Sequence, residues 1–563
     1  MNKKLMVYLF LCASALTAQE KKEAASKEVD LKNPLQIPKT DLSYDRLPKF
    51  DLPEFVITGN EKIDLQIKSK SEGDEDRIFV PSKPTPGNRV MGVDGSFSPK
   101  QTKTFTQTPA SLNGKLFAGL GFYLTPQFDG WFGQHDQSNS FVINGYYSST
   151  EGHVTDAGWW KGGFGARGRY VIPESSTVFP FAQLNGDLRY GRESYRAYAS
   201  LAPTRVRDLS AFDLSLGIGS RYALPYRTLS GLDYTATFGM NNFSAKDSGS
   251  SSENDLYLNS SATTRFFDIA LRGQAEYRST SYTMNIPSLQ SGQWFILKAD
   301  GLTSLMPSLQ LVFALQQFLY RGNIGPTSGR LYPQIEFRYY LTEGAVIYAG
   351  FEPTVERNTL ASIIKQNRYI DFNALVKPSD VTANVLAGME FTPVDEITAK
   401  GKFSYKNINN YPTFLDTNGA KVWKVIYLSG VRSTKFDVSL LYRINTKQNV
   451  TAFFSTQNVK QIDSFGVMPY LPKYSFGAAY HHYFDFGLHV EGLAEYVASR
   501  YTNFANTHSN AEYIFTSVKG DIELIERFRG YAEIQNLINQ RYYVWNGFRE
   551  RTVYVAFGVS YNW

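Results

Sequence analysis

The chain closes on "RTVYVAFGVSYNW", residues 551–563. Read by alternation, Val553, Val555, Phe557, Val559, Tyr561 and Trp563 fall on one side, and Thr552, Tyr554, Ala556, Gly558, Ser560 and Asn562 on the other. A period of two marks a β-strand, whose successive side chains point to opposite faces. Such a strand belongs either to a soluble sandwich, its apolar side packed on a second sheet, or to a barrel in lipid, that side facing hydrocarbon. The rest of the chain decides between them.

The alternation returns upstream with a charged second face. "RFFDIALRGQAEYRS" (265–279) sets Phe267, Ile269, Leu271, Ala275 and Tyr277 against Asp268, Arg272, Gln274, Glu276 and Arg278. "PQIEFRYYL" (333–341) opposes Ile335, Phe337, Tyr339 and Leu341 to Glu336 and Arg338, and "EITAKGKFSYK" (396–406) opposes Ile397, Ala399, Phe403 and Tyr405 to Lys400, Lys402 and Lys406. "YLSGVRSTKFDVSLLYR" (427–443) adds Lys435, Asp437 and Arg443. Asp268, Arg272, Glu276, Glu336, Arg338, Lys400, Lys402, Lys435, Asp437 and Arg443 are expected to line a wet lumen. A soluble β-domain rarely exceeds about 250 residues, yet no linker-like break interrupts the chain after residue 110. One continuous barrel accounts for that.

Composition agrees: aromatics make up 15% of a chain whose mean hydropathy is −0.30, as expected where lipid-facing and water-facing residues alternate. The N-terminus carries Lys3 and Lys4, an apolar run from Leu5 to Leu11, and small residues up to Ala18. It reads as a secretory signal over 1–18, too short to span a bilayer. Cys12, the single cysteine, would leave with it, so no disulfide or thiolate site is expected in the mature chain. No later stretch is long and apolar enough for a membrane helix. Membrane spanning therefore requires a closed barrel, which satisfies its backbone hydrogen bonds internally.

Residues 19–112 are rich in charge and proline, as in "SEGDEDR", and are expected to form a mostly disordered, extended tether. Within it Glu54, Phe55, Val56, Ile57, Thr58 and Gly59 make an apolar, β-branched patch. It could be a local strand, or a docking strand that adds to the edge of a partner's sheet. The folded part is expected over 113–563. Connections there alternate between short turns (172–176, 306–308, 341–344, 392–395, 445–448, 484–487, 525–528) and long loops (191–207, 244–253, 279–292, 357–380, 407–419, 460–472, 499–511, 540–550). Short turns on one rim and long loops on the other suit an outer-membrane barrel. The count is 22 strands, within a range of 18–22, if 420–444 is a single long strand; "FYLTPQFDGWFG" (122–133) reads as either one strand or two.

"YAEIQNLINQRYYVWNGFRERTVYVAFGVSYNW" (531–563) resembles the end of TonB-dependent receptors: Asn536, Leu537, Asn539 and Tyr542 match the family's NLFNxxY element, Gly547 falls in the final outer loop, Arg551 opens the last strand, and the terminus is aromatic. "YYSSTEG" (146–152) is similar to the family's early strand and loop, and "EFVITG" (54–59) to its TonB box. The resemblance implies a large transmembrane antiparallel β-barrel in the outer membrane of a Gram-negative-type bacterium, with the tether in the periplasm. It also implies a terminal strand, with Tyr561 and Trp563, read by the outer-membrane insertion machinery, and a TonB-type energy-coupling partner at Glu54–Gly59. It does not extend to the family's plug domain of about 130 residues, because only about 50 mostly polar residues separate Gly59 from the first strand, so the plug is either absent or reduced to a vestige over 60–112. Loops, the tether or a lumen-filling partner protein would then occupy the pore.

Two functions follow: a transporter or receptor taking up a ligand at its outer loops, or a scaffold or channel component of a multi-protein outer-membrane complex. An enzyme is not expected. The six histidines, His135, His153, His481, His482, His489 and His508, show no HExxH-type spacing, and His481 and His482 must point to opposite faces of a strand. No catalytic residue, metal ligand or cofactor is expected. Glycines such as those of "GLGFY" lack a strand–helix context for phosphate and fit as relief of crowding. A formal net charge of +6 gives a mild bias toward anionic ligands or lipopolysaccharide and does not single out nucleic acid.

Overall fold

The computed structural model describes residues 112–563, except 136–137, 178, 221–231, 268, 285–289, 323–327, 417–418 and 463–465. The expected signal, the tether, Glu54–Gly59 and Asp268 lie outside the described residues. Twenty-two antiparallel strands form one closed sheet. In chain order they are β1 (Leu112–Gly121), β2 (Thr125–His135), β3 (Asn139–Thr150), β4 (Trp159–Val171), β5 (Ala182–Arg196), β6 (Val206–Ser220), β7 (Leu232–Lys246), β8 (Ser250–Phe266), β9 (Ile269–Thr283), β10 (Gln290–Met306), β11 (Leu309–Gly322) and β12 (Ser328–Thr342). There follow β13 (Ala345–Phe351, resuming at Thr354–Glu356), β14 (Ser379–Val394), β15 (Ile397–Asn409), β16 (Val431–Asn445), β17 (Gln448–Gln461), β18 (Tyr474–Tyr483), β19 (Leu488–Val497), β20 (Tyr513–Ile525), β21 (Phe528–Gln535) and β22 (Tyr554–Asn562). The two pieces of β13 pair with the same neighbour, β14, and so count as one strand.

Closure is direct: β1 pairs with β22 from Lys115↔Asn562 to Gly121↔Ala556. Beyond that ladder, Gly114 and Trp563 exchange both backbone bonds, at 3.2 and 3.1 Å. A barrel closed in this way has no open edge. On β22 the expected faces separate: Tyr554, Ala556 and Ser560 are buried, whereas Phe557 is 61% and Val559 49% exposed. Leu116, Phe128, Phe238, Leu297, Phe337, Phe403 and Phe476 repeat that exposure around the wall. This continuous apolar girdle, facing away from the buried polar side chains, is the surface that hydrocarbon would cover.

The rim carrying both ends of the sheet has the tight connections, such as 307–308, 343–344, 395–396, 446–447 and 526–527, and the opposite rim carries the long ones. Several expectations are corrected. Residues 420–444 are not one strand: Lys424–Leu428 leaves the wall to pair with Tyr411–Leu415 in a loop hairpin, and the chain turns at Gly430, whose φ of +67° suits a residue without a Cβ. The count survives because that hairpin stands outside the barrel sheet. The run 265–279 is likewise broken, with Phe267 in a turn at φ 53° and β9 starting at Ile269. The stretch 244–253 is no long loop, since β7 and β8 extend to within three residues of each other. "FYLTPQFDGWFG" is the three-residue turn 122–124 followed by a single strand, β2, and the last strand opens at Tyr554 and not at Arg551.

Candidate functional site

The long loops fold together at their rim. The largest contributor, between β13 and β14, contains the one helix among the described residues, α1 (Leu360–Gln366). Thr359 caps it: the Ser362 amide donates to Thr359 Oγ1 at 2.9 Å, and the Thr359 amide donates to Ser362 Oγ at 2.9 Å. This reciprocal box satisfies amides that the helix start leaves open. Leu360, Ile363 and Ile364 are buried on one side. Seven residues cannot hold a helix alone, so tertiary contacts hold it. The Leu360 amide donates to Glu253 at 2.5 Å, and Arg357 pairs with Glu253 at 3.2 Å and Asp255 at 3.0 Å, both acids being buried on β8.

Past the helix the loop reaches β5 and β6. The Arg368 carbonyl accepts from Tyr195 Oη at 2.5 Å and from Arg207 at 2.9 Å, while its guanidinium pairs with Glu193 and lies 3.8 Å over the Tyr195 ring. Burial lowers the Arg368 pKa from its ordinary value. Arg207 lies 3.8 Å over Phe372 and pairs with Asp247 at 3.3 Å. One segment that touches β5, β6 and β8 through their buried polar side chains identifies that face as the inner one.

Six further loops join it. The Asp371 amide donates to the Trp423 carbonyl at 2.8 Å and the Trp423 amide to the Tyr369 carbonyl at 3.1 Å, tying the loop to the Tyr411–Leu428 hairpin. Tyr369 stacks on Phe548 with centroids 3.6 Å apart, and Trp545 sits 4.4 Å from Tyr470 and 5.2 Å from Trp423. Asn506 links to the backbone of Val467 at 2.8 and 3.0 Å. His153 Nε2 and Tyr198 Oη both donate to the Arg549 carbonyl, at 2.6 and 2.7 Å. Offset and edge contacts among such rings add about 0.5–1.5 kcal/mol each beyond their burial. The result is one packed assembly across the mouth.

The motif that carried the family resemblance has a structural reason. Asn536 and Asn539 adopt left-handed φ of 51° and 56°, a region asparagine tolerates. Asn536 donates to the carbonyls of Gln540 and Arg551, at 2.8 and 3.1 Å, and accepts from the Gln540 amide at 3.0 Å. Tyr542 stacks on Tyr513 at 4.1 Å, and Gly547 turns the loop tip at φ +87°.

Of the charged residues singled out in the sequence, Arg272 pairs with Asp300 at 2.9 Å, Glu276 with Arg278, and Glu336 with Arg338. Lys400 pairs with Glu390 at 3.3 Å and Lys435 with Asp437 at 3.2 Å. Lys402 stands opposite Asp437 in the ladder, and Arg443 donates to the Asp395 carbonyl at 2.7 Å near the tight-turn rim. They are spread over β9, β12, β15 and β16 and do not converge on one point, although Arg278, the partner of Glu276, also pairs with Asp255 at 2.8 Å and so joins the Arg357 contacts. Sequence reading missed Glu193, Arg207, Glu253, Arg357 and Arg368, which meet only because loops cross between distant strands. It also missed a grouping of His481, His489 and Glu491, for which the signal was there: His489 and Glu491 are two apart on one strand and so share a face.

Comparison with solved structures falls on this same barrel. The ferric-catecholate import receptor Fiu of Escherichia coli K12 aligns with a TM-score of 0.63 at 10% identity, over 81% of this chain and 82% of that one. The FrpB iron transporter of Neisseria meningitidis gives 0.65 at 10%, over 81% and 82%, and the copper transporter OprC gives 0.61 at 10%, over 81% and 80%. The barrel shares their fold. No protein-family model and no curated protein matches the sequence.

Proposed function

We propose that the chain is an outer-membrane import receptor that captures a small ligand at the packed long-loop assembly and passes it through its lumen. The observation that carries this reading is the combination of a closed 22-strand barrel with a mouth spanned by its own interlocked loops. An open pore needs no such cover, whereas a gated importer does. The ligand class that the similar structures suggest is a metal ion or its chelate, since they are named for ferric-catecholate, iron and copper transport. A TonB-type partner docking on Glu54–Gly59 would supply the energy, the tight-turn rim would face the periplasm, and the apolar girdle would meet lipid and lipopolysaccharide. The insertion machinery would read the strand ending in Tyr561 and Trp563. Deleting 54–59 should abolish uptake of a labelled metal chelate without lowering the amount of barrel in the membrane; unchanged uptake would sink the coupled reading.

One observation favours the scaffold reading instead. Trp423, Tyr470, Trp545 and Phe548 are spent on packing against one another, so they offer less surface to a ligand. A stoichiometric partner co-purifying from the outer membrane, with no chelate bound, would decide for it.

A further inference from the structure

We propose that His481, His489 and Glu491 form a binding site for a divalent transition-metal ion of the Zn2+ class, on the inner wall near the tight-turn rim. His481 is on β18, and His489 and Glu491 are on β19. His481 is directly opposite Glu491 in the ladder, and His489 is opposite Tyr483. One ligand atom from each of the three residues falls within 4.8 Å of the others. Glu491 Oε1 is 3.7 Å from His481 Nδ1 and 3.7 Å from His489 Nε2. Tetrahedral donors at about 2.0–2.1 Å from a zinc ion stand about 3.3 Å apart, so each histidine needs to approach Glu491 by a few tenths of an ångström, and the two histidine nitrogens, within 4.8 Å of one another, need to close by up to about 1.5 Å, a side-chain rotation rather than a backbone shift.

The second observation is His489 itself. Its side chain is 4% exposed, and its Nε2 makes no hydrogen bond, although it is buried and directed at Glu491. Its other nitrogen is 3.0 Å from Asp521 Oδ1, and Arg529 holds Asp521 through Oδ2 at 2.8 and 2.5 Å. A carboxylate that accepts from Nδ1–H fixes the tautomer in which Nε2 carries the lone pair, the arrangement of a metal-ligating histidine. Tyr483 stacks flat on the same ring at 4.0 Å and holds its plane. Two imidazoles and one carboxylate are a borderline-soft set that suits Zn2+ or Cu2+ better than Ca2+ or Mg2+. A fourth position would be left to water or to a group of a passing ligand.

The test uses the full chain without a histidine tag, refolded in detergent and titrated with Zn2+ by calorimetry. His482 is the internal control, because it is on the opposite face of β18, stacked on Phe484 at 3.8 Å. We expect one saturable Zn2+ per chain in the unmodified protein and in His482→Ala, loss of that binding in His489→Ala, and weakening by about 10–100-fold in Asp521→Asn, which removes only the orienting partner. X-ray absorption of the unmodified zinc complex should show two imidazole ligands. Absence of saturable binding, equal binding by His489→Ala, or an all-oxygen coordination shell would overturn the proposal.

Discussion

Asn536 is fully buried, left-handed and bonded at three points. Replacing it with alanine removes those bonds and leaves buried carbonyls unsatisfied, which should cost about 1–3 kcal/mol. Urea unfolding followed by fluorescence should show the lowered midpoint, and Asn536→Gly, which keeps the backbone freedom, should lose less. His153 gives a pH dependence. Burial, its main influence, lowers its pKa below the ordinary imidazole value, with Arg549 and Arg551 adding to that and the Arg549 carbonyl and Glu550 opposing it. The docked loop thus prefers the neutral ring. Its stabilisation is complete above the ordinary value near 6.5 and declines as the pH falls through it, because the undocked ring takes up the proton first. Limited proteolysis should therefore cut 540–550 faster at pH 5.5 than at 7.5, and His153→Gln should flatten that difference. At this scale the sequence was legible where a motif is local, as with Asn536, Asn539 and Tyr542. Arg368 and Tyr195 meet across 173 positions, and periodicity encodes only which face a residue takes.

Among the elements, strands were readable because lipid on one side and water on the other impose a period of two over nine or more residues. The seven residues of α1 span barely two turns, too few for a helical period to stand out. Hairpins that extend a wall strand beyond the rim, as 411–428 does, alternate like the wall itself and conceal where the barrel ends. What holds α1 in place is the buried pairing of Arg357 with Glu253 and Asp255. Arg357→Ala takes the cation away from buried Glu253, while Asp255 keeps Arg278 at 2.8 Å, and breaking such a buried pair typically costs about 3–5 kcal/mol. The loop should undock while the barrel stays closed. In planar bilayers the variant, and more strongly a deletion of 360–378, should pass larger steady currents than the unmodified chain. Equal currents would mean that this loop does not obstruct the pore.

For the whole molecule the decisive contact is the seam, where the chain's last strand finds its first. The sequence shows that the final strand is amphipathic; only the structure shows what its terminal ring meets. A Cβ added at Gly114 would fall inside the Trp563 indole, and one at Gly121 inside the Tyr554 ring. Two glycines of β1 thus make room for aromatic side chains of the closing strand and its terminal residue. On the other side Tyr561 stacks on Trp563 at 5.8 Å and lies tilted against Phe528 at 4.8 Å. Gly114→Val should displace the indole and weaken the last two ladder bonds, and deleting Trp563 should remove them without a clash. Both variants should form the closed barrel more slowly and in lower yield, read as the fraction that resists unfolding in cold detergent and shifts on heating. If the indole matters for the seam rather than as a bulky end group, Trp563→Leu should fall between the unmodified chain and the deletion. It keeps the backbone bonds to Gly114 but loses the stack on Tyr561. A Gly114→Val variant that closes as fast as the unmodified chain would show that the strand ends adapt and that closure rests on the Lys115–Gly121 ladder alone.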